Sequence, residues 1–377
     1  MKNKSSAAFI VCSILMIFGL ALPARAQASE SDISRIYRGL YESFGGRALE
    51  DVMPDGASTL LEEVPDSGSI SNALSLRSIV NVLSGGVYKI VGKVLADFAK
   101  VMLIVLIFVL AQALREGLGA KFAETSLNLT AVLSVSIAVY TVMEDAIGMC
   151  VDAISDAVSL LDVAIPIIAA AGAASGKMVS SMVLPGGIAV VIGLFGKLNA
   201  YLLLPVMSVY FALSLASSLM PDGALAGICK AIKETVVFAM GLFTTVAAGL
   251  LSLQKIVAGA SETVVTGAAK FTLGSVIPIV GGIITDAFET VIGCVDVIRA
   301  AVGVAGVLGL MILLGPPIIR VLLYSLLFKL ASATAALSGE GGVPTFLSAV
   351  SDVWGILAAV TICQCIYLIT ATAIMAG

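Results

Sequence analysis

From about residue 98 to the C-terminus, apolar runs of bilayer length follow one another with only short charged stretches between them. A run of about 20 apolar residues crosses a hydrocarbon core as a helix, because lipid offers nothing to an unsatisfied backbone amide or carbonyl. That pattern limits the fold more than any single residue does. The chain has 377 residues, 59% hydrophobic and 12% charged, where a soluble domain carries about 25% charge. Its 37 glycines suit closely packed membrane helices. The expected fold is all-α, a polytopic membrane helix bundle of about 8–10 spans.

The runs read as spans near 98–114, 125–143, 157–174, 179–197, 201–219, 235–253, 276–296, 300–318, 319–337 and 353–375. Glycine and proline interrupt 276–337, so broken or re-entrant pieces are expected there. Lys2 and Lys4, the apolar run Ala7–Leu22, and small residues at Ala24, Ala26 and Ala28 form a cleavable signal peptide over 1–28. An uncleaved first span is the alternative, and either one exports the residues after it. Residues 29–86 read as a short exported polar segment, and 87–377 as the multi-span membrane domain. Leu76, Ile79, Val80, Leu83 and Val87 recur at helical spacing, with Lys89, Lys93, Asp97 and Lys100 on the remaining surface. That is an amphipathic helix leading into the first mature span.

Loop 144–156 carries Glu144, Asp145, Asp152 and Asp156 and no base, which suits the outer side. Lys177, Lys230 and Lys233 then fall inside, while Lys89, Lys93 and Lys100 run against the rule. Ala164–Ile168 (AIPII) resembles Val276–Val280 (VIPIV), and Leu203–Pro205 resembles Leu314–Pro316 at nearly the same offset. The pattern admits a diverged repeat, 157–254 and 270–377, or chance recurrence in an isoleucine-rich chain.

Several chemistries are excluded. Net charge is −4 and no basic tract exists, so nucleic acid has no electrostatic footprint. There is no histidine, which removes histidine metal sites and histidine-based catalysis. Phosphate loops, zinc signatures and nucleophile elbows are missing, so no cofactor and no enzymatic activity are expected. The six cysteines read as small apolar residues.

One stretch departs from a passive anchor. Gly274–Arg299 is apolar yet carries Pro278, Gly281, Gly282, Asp286, Glu289, Gly293, Asp296 and Arg299. At about 100° per residue, the three acids, Gly282 and Gly293 share one face within about 80°. Small residues admit a neighbouring helix, and the acids require water or a cation. Arg299, one turn past Asp296, is the nearest partner. The face reads as a polar lumen or a subunit contact; hydration of acids near a span end is the alternative. Pro166, Pro205, Pro278, Gly281, Pro316 and Pro317 are candidate helix breaks. Asp162, Lys270, Arg320 and Lys329 are further intramembrane or boundary charges, with Arg320 and Lys329 placed to snorkel.

Leu251–Gln254, Lys270, residues 277–310, Pro316–Ile319, Tyr324 and Lys329–Ala331 resemble the stage III sporulation protein AE family. The dense likeness covers about 250–335; upstream it is carried by hydropathy, spacing, Ala171-Gly172 and Leu204-Pro205. The tail after Ala336, with SGEGGVPTF from Ser338, departs from the family pattern. The resemblance implies an endospore-forming bacterium and a protein made in the mother cell. It places the chain in the membrane surrounding the forespore, within a secretion-like channel joining the two cells. The implied partners are an ATPase, small membrane proteins and ring-forming proteins. Two functional readings follow: a subunit of that channel contributing to its pore, or a stand-alone secondary transporter, which the acids, breaks and repeat would serve equally.

Overall fold

The computed structural model describes residues 38–54, 76–118, 124–198, 204–220, 225–276, 281–336 and 342–376. The signal segment and most of the exported stretch lie outside these residues. Among the described residues all regular structure is helical. The helices are α1 Gly46–Val52, α2 Leu76–Leu118, α3 Glu124–Ala174, α4 Met178–Leu198, α5 Leu204–Leu219, α6 Ala226–Val276, α7 Gly281–Ala335 and α8 Gly342–Ala376. Residues 38–43 form a further helical turn before α1. Five helices are long and apolar enough to cross a membrane, and two shorter apolar ones lie over Ser180–Leu194 and Pro205–Leu219.

Several segments that read as separate spans are single helices. The acidic stretch 144–156 is not a loop; it is the middle of α3, which runs unbroken through 51 residues. Acidic side chains do not stop a helix whose buried stripe continues. Ala146, Cys150, Ala153, Ala157, Leu160 and Ala164 keep that stripe at three- and four-residue spacing. The amphipathic stretch before residue 98 and the first span are likewise one helix, α2.

The prolines also interrupt less than proline chemistry alone suggests. Pro166 lies inside α3, and Pro316 and Pro317 lie inside the 55-residue α7. Close neighbours and locally adjusted geometry let a membrane helix accommodate the lost hydrogen bonds. Pro205 occupies the second position of α5, where its missing amide costs little. Gly281 opens α7; Pro278 lies outside the described residues.

Two apolar clusters are stacked end to end. One joins Leu160, Leu161 and Ile168 of α3 to α4, α6, Leu310 of α7 and Leu368 of α8. The other joins Val135 and Val139 of α3 to α2, α5, Phe328 of α7 and Trp354 of α8. Helices α3, α7 and α8 run through both tiers. The late half of α3 meets the early half of α7 and the late half of α8, so α7 is antiparallel to the other two.

Helices α7 and α8 form the tightest seam. A Cβ on Gly303 would collide with that of Ala376, and one on Gly306 would fall 3.2 Å from Thr372. The seam is also tied by reciprocal polar bonds. The Ser325 hydroxyl donates to the Ser351 carbonyl at 3.2 Å, and Ser351 donates to the Ser325 carbonyl at 2.8 Å. Small residues and hydroxyls replace the hydrophobic drive that lipid removes between membrane helices.

Candidate functional site

Charge inside this bundle gathers at two levels of α7, marked by Arg299 and Arg320. Both arginines are buried. They are 21 positions apart, which on a helix is about 32 Å, close to one hydrocarbon core. The stretch between them, Ala300–Ile319, has no charged residue.

At one level, Arg320 lies where α2, α3 and α7 meet. Its Nη2 donates to the Asp145 carboxylate of α3. Lys93 of α2 reaches the same carboxylate at 2.9 Å. The guanidinium also lies over the Tyr324 ring, 5.5 Å from its centroid. The Tyr324 hydroxyl donates to Asp97 of α2 at 2.8 Å, and Lys100 closes on Asp97 at 3.1 Å. Tyr324 in turn packs on Trp354 of α8, ring centroids 4.7 Å apart. A buried cation is tolerated when a carboxylate, hydrogen bonds and an aromatic face surround it. On α6 and α8, Lys233 and Asp352 pair at 2.5 Å.

At the other level, Arg299 donates through Nε and Nη2 to the Met375 carbonyl, at 2.8 and 2.5 Å. That carbonyl belongs to the last turn of α8, whose orphaned acceptors and negative dipole end attract a cation. Beside it, Lys177, just after α3, pairs with Asp296 at 3.3 Å.

The expected face on 274–299 is therefore only partly visible. Gly281, Gly282, Asp286 and Glu289 fall on the first turns of α7, but their side chains lie outside the described residues, as does that of Lys270 on α6. Gly293 faces open space. Asp296 takes Lys177 as its partner, not Arg299, which turns into the bundle instead. Arg320 does not snorkel; it is held inside by Asp145 and Tyr324. Lys329 and Asp162 are exposed. The partners Lys93, Asp97, Asp145 and Tyr324 stay hidden in the sequence as long as 144–156 reads as a loop. The uninterrupted small-residue stripe of α3 is the signal that points to them.

Residues 61–377 match a family described as stage III sporulation protein AE. The chain is also similar to the Stage III sporulation protein AE of Bacillus subtilis (strain 168), at 29% identity over 231 residues. That match covers 61% of this chain and 58% of the relative, so it spans less than two thirds of the relative's length. No solved structure matches the chain at a significant level.

Proposed function

The chain belongs to the stage III sporulation protein AE family, and from that premise we propose that it is a non-enzymatic membrane subunit of a secretion-like channel between mother cell and forespore. It sits in the mother-cell membrane around the forespore. Its partners there are an ATPase, small membrane proteins and ring-forming proteins. It contributes helices to the pore region.

One observation favours this subunit role over a stand-alone transporter. A secondary transporter holds its substrate in a polar pocket near the bilayer midplane. At that level this bundle is filled by Leu160, Leu161, Leu310, Leu314 and Tyr367. The charges between helices are instead matched to one another, as in the Lys93–Asp145–Arg320 cluster, which fixes helix positions. This suits a scaffold that presents its surfaces to neighbours.

The test is isolation of the tagged protein from sporulating cells. Ring-forming proteins and the ATPase should co-purify, and the protein alone in liposomes should accumulate no solute. Coupled uptake by the isolated chain would support the transporter reading instead. A strain carrying Asp286→Ala, Glu289→Ala and Asp296→Ala together should make defective spores at normal protein level. A normal spore yield would remove those three acids from the mechanism.

A further inference from the structure

Residues 38–54 do not hang free of the bundle. Residues 38–54 fold into a helical turn, a bend at Gly45 with φ 94°, and α1. Tyr41 donates to the Gly46 carbonyl at 3.1 Å and closes the bend. Tyr41, Leu49 and Met53 are buried in the same apolar cluster as Leu160 of α3 and Leu310 of α7. Half-buried Pro54 marks the place along α7: its Cδ lies 3.7 Å from where a Gly309 Cβ would stand, and Leu160 Cδ2 lies 2.8 Å from that point. The missing side chain at Gly309 makes room for Leu160, and the segment packs beside that contact.

Gly309 lies midway between Arg299 and Arg320, about 15 Å along the helix from each. Pro54 thus lies at the middle of the charge-free stretch of α7. The segment's outer surface is charged, with Arg38, Glu42, Arg47 and Asp51 exposed and Arg47 paired to Glu42 at 3.0 Å. Residues 53 and 54 are irregular backbone. Irregular backbone and open charges at bilayer depth are sustained only inside protein or against a water-filled cavity.

The neighbouring surface of α3 agrees. From 151 to 170 its exposed residues include Asp152, Ser155, Asp156, Ser159 and Asp162, and none of these acids has an ion-pair partner among the described residues. A different wall of the same tier is lipid-like. Helix α6 exposes Phe238, Leu242, Val246, Leu250 and Leu253 and has no charge from Thr235 to Gln254.

We infer that the wall formed by α3, α7 and the docked segment 38–54 faces an aqueous vestibule reaching bilayer depth, while the α6 wall faces lipid. The inference rests on the proposed membrane-subunit role and names the surface that serves it. Its partner is water, held in the lumen of the assembly.

Single cysteines report it directly. Asp51→Cys, Ser159→Cys and Leu250→Cys are placed in a chain whose native cysteines are alanine, in membranes of sporulating cells. A membrane-impermeant maleimide should modify the first two and leave Leu250→Cys unmodified until detergent is added. Modification of all three would put this tier outside the bilayer and overturn the inference. Protection of positions 51 and 159 would show lipid or protein covering the wall and overturn it equally. If the cysteine-free chain does not accumulate, an environment-sensitive fluorescent amino acid at the same positions of the native chain gives the same reading. Either failure leaves co-purification with channel partners unaffected, so the two readings fail separately.

Discussion

Arg320 ties three helices together, and its neighbours determine what its loss would do. Among the described residues, removing Asp145 leaves the buried guanidinium with Tyr324 and the Met149 sulfur, 3.2 Å from Nη1. Breaking a fully buried pair from one side costs about 3–5 kcal/mol, but Asp145 is about half exposed, so Asp145→Asn should cost about 2 kcal/mol. Arg320→Met should cost less, about 1 kcal/mol, because Asp145 keeps Lys93 and water and no buried charge is orphaned. Arg320→Lys should fall with Asp145→Asn, since an ammonium has neither the fork nor the flat face that stacks on Tyr324. Unfolding midpoints of the three purified variants in detergent check this order; a costlier Arg320→Met would reverse it. The arginine was legible in the sequence as a charge in an apolar run. Its partner was not, because Asp145 is 175 positions away and sits among acids that mimic a loop. Only the packing of α3 against α7 brings them together.

Among the elements, α7 and α8 depend most on small side chains. Gly303, Gly306 and Gly309 succeed one another on α7 and approach Ala376, Thr372 and Leu160. Gly303→Val should therefore force the seam apart and cost about 1–3 kcal/mol by overpacking, offset only slightly by better helix propensity. Gly293→Ala meets nothing within 4 Å and should be neutral or slightly stabilising. Thermal unfolding in one detergent compares them; equal effects would show that the seam yields freely. Ser325→Ala with Ser351→Ala removes both reciprocal bonds and should cost about 0.6 kcal/mol for each interhelical bond lost. The all-helical class and the glycine-rich packing were readable from composition and hydropathy. The continuity of α3 and α7 through charges and prolines was not. Hydropathy divides a helix wherever its exposed face turns polar, whereas the backbone hydrogen bonds and the buried stripe carry on.

At the scale of the molecule, length and charge together set how the bundle meets a membrane. Helix α3 has 51 residues and α7 has 55, or about 77–83 Å of helix against a hydrocarbon core of about 30 Å. Both tiers cannot stand upright in one bilayer. The levels of Arg299 and Arg320 divide α7 at a spacing of about 32 Å, and Lys177, Asp296 and the α8 terminus gather at one of them while Lys93, Asp97 and Asp145 gather at the other. Ion-paired clusters between helices at two depths one core-thickness apart suit interfacial anchoring, since charges facing lipid within the core are costly. The tier between them should thus set the preferred bilayer. In phosphatidylcholine vesicles of increasing acyl length, the unfolding midpoint should peak near a core of about 30 Å and fall by a few degrees on either side. Mismatch costs only fractions of a kcal/mol per Å, so the peak is broad but has a definite position. A midpoint that climbs steadily to the thickest bilayer would mean that Leu103, Leu106 and Leu110 of α2, exposed on the second tier, are also submerged. The helices would then lie tilted, with the Arg320 cluster inside the lipid core and held there by its own partners alone.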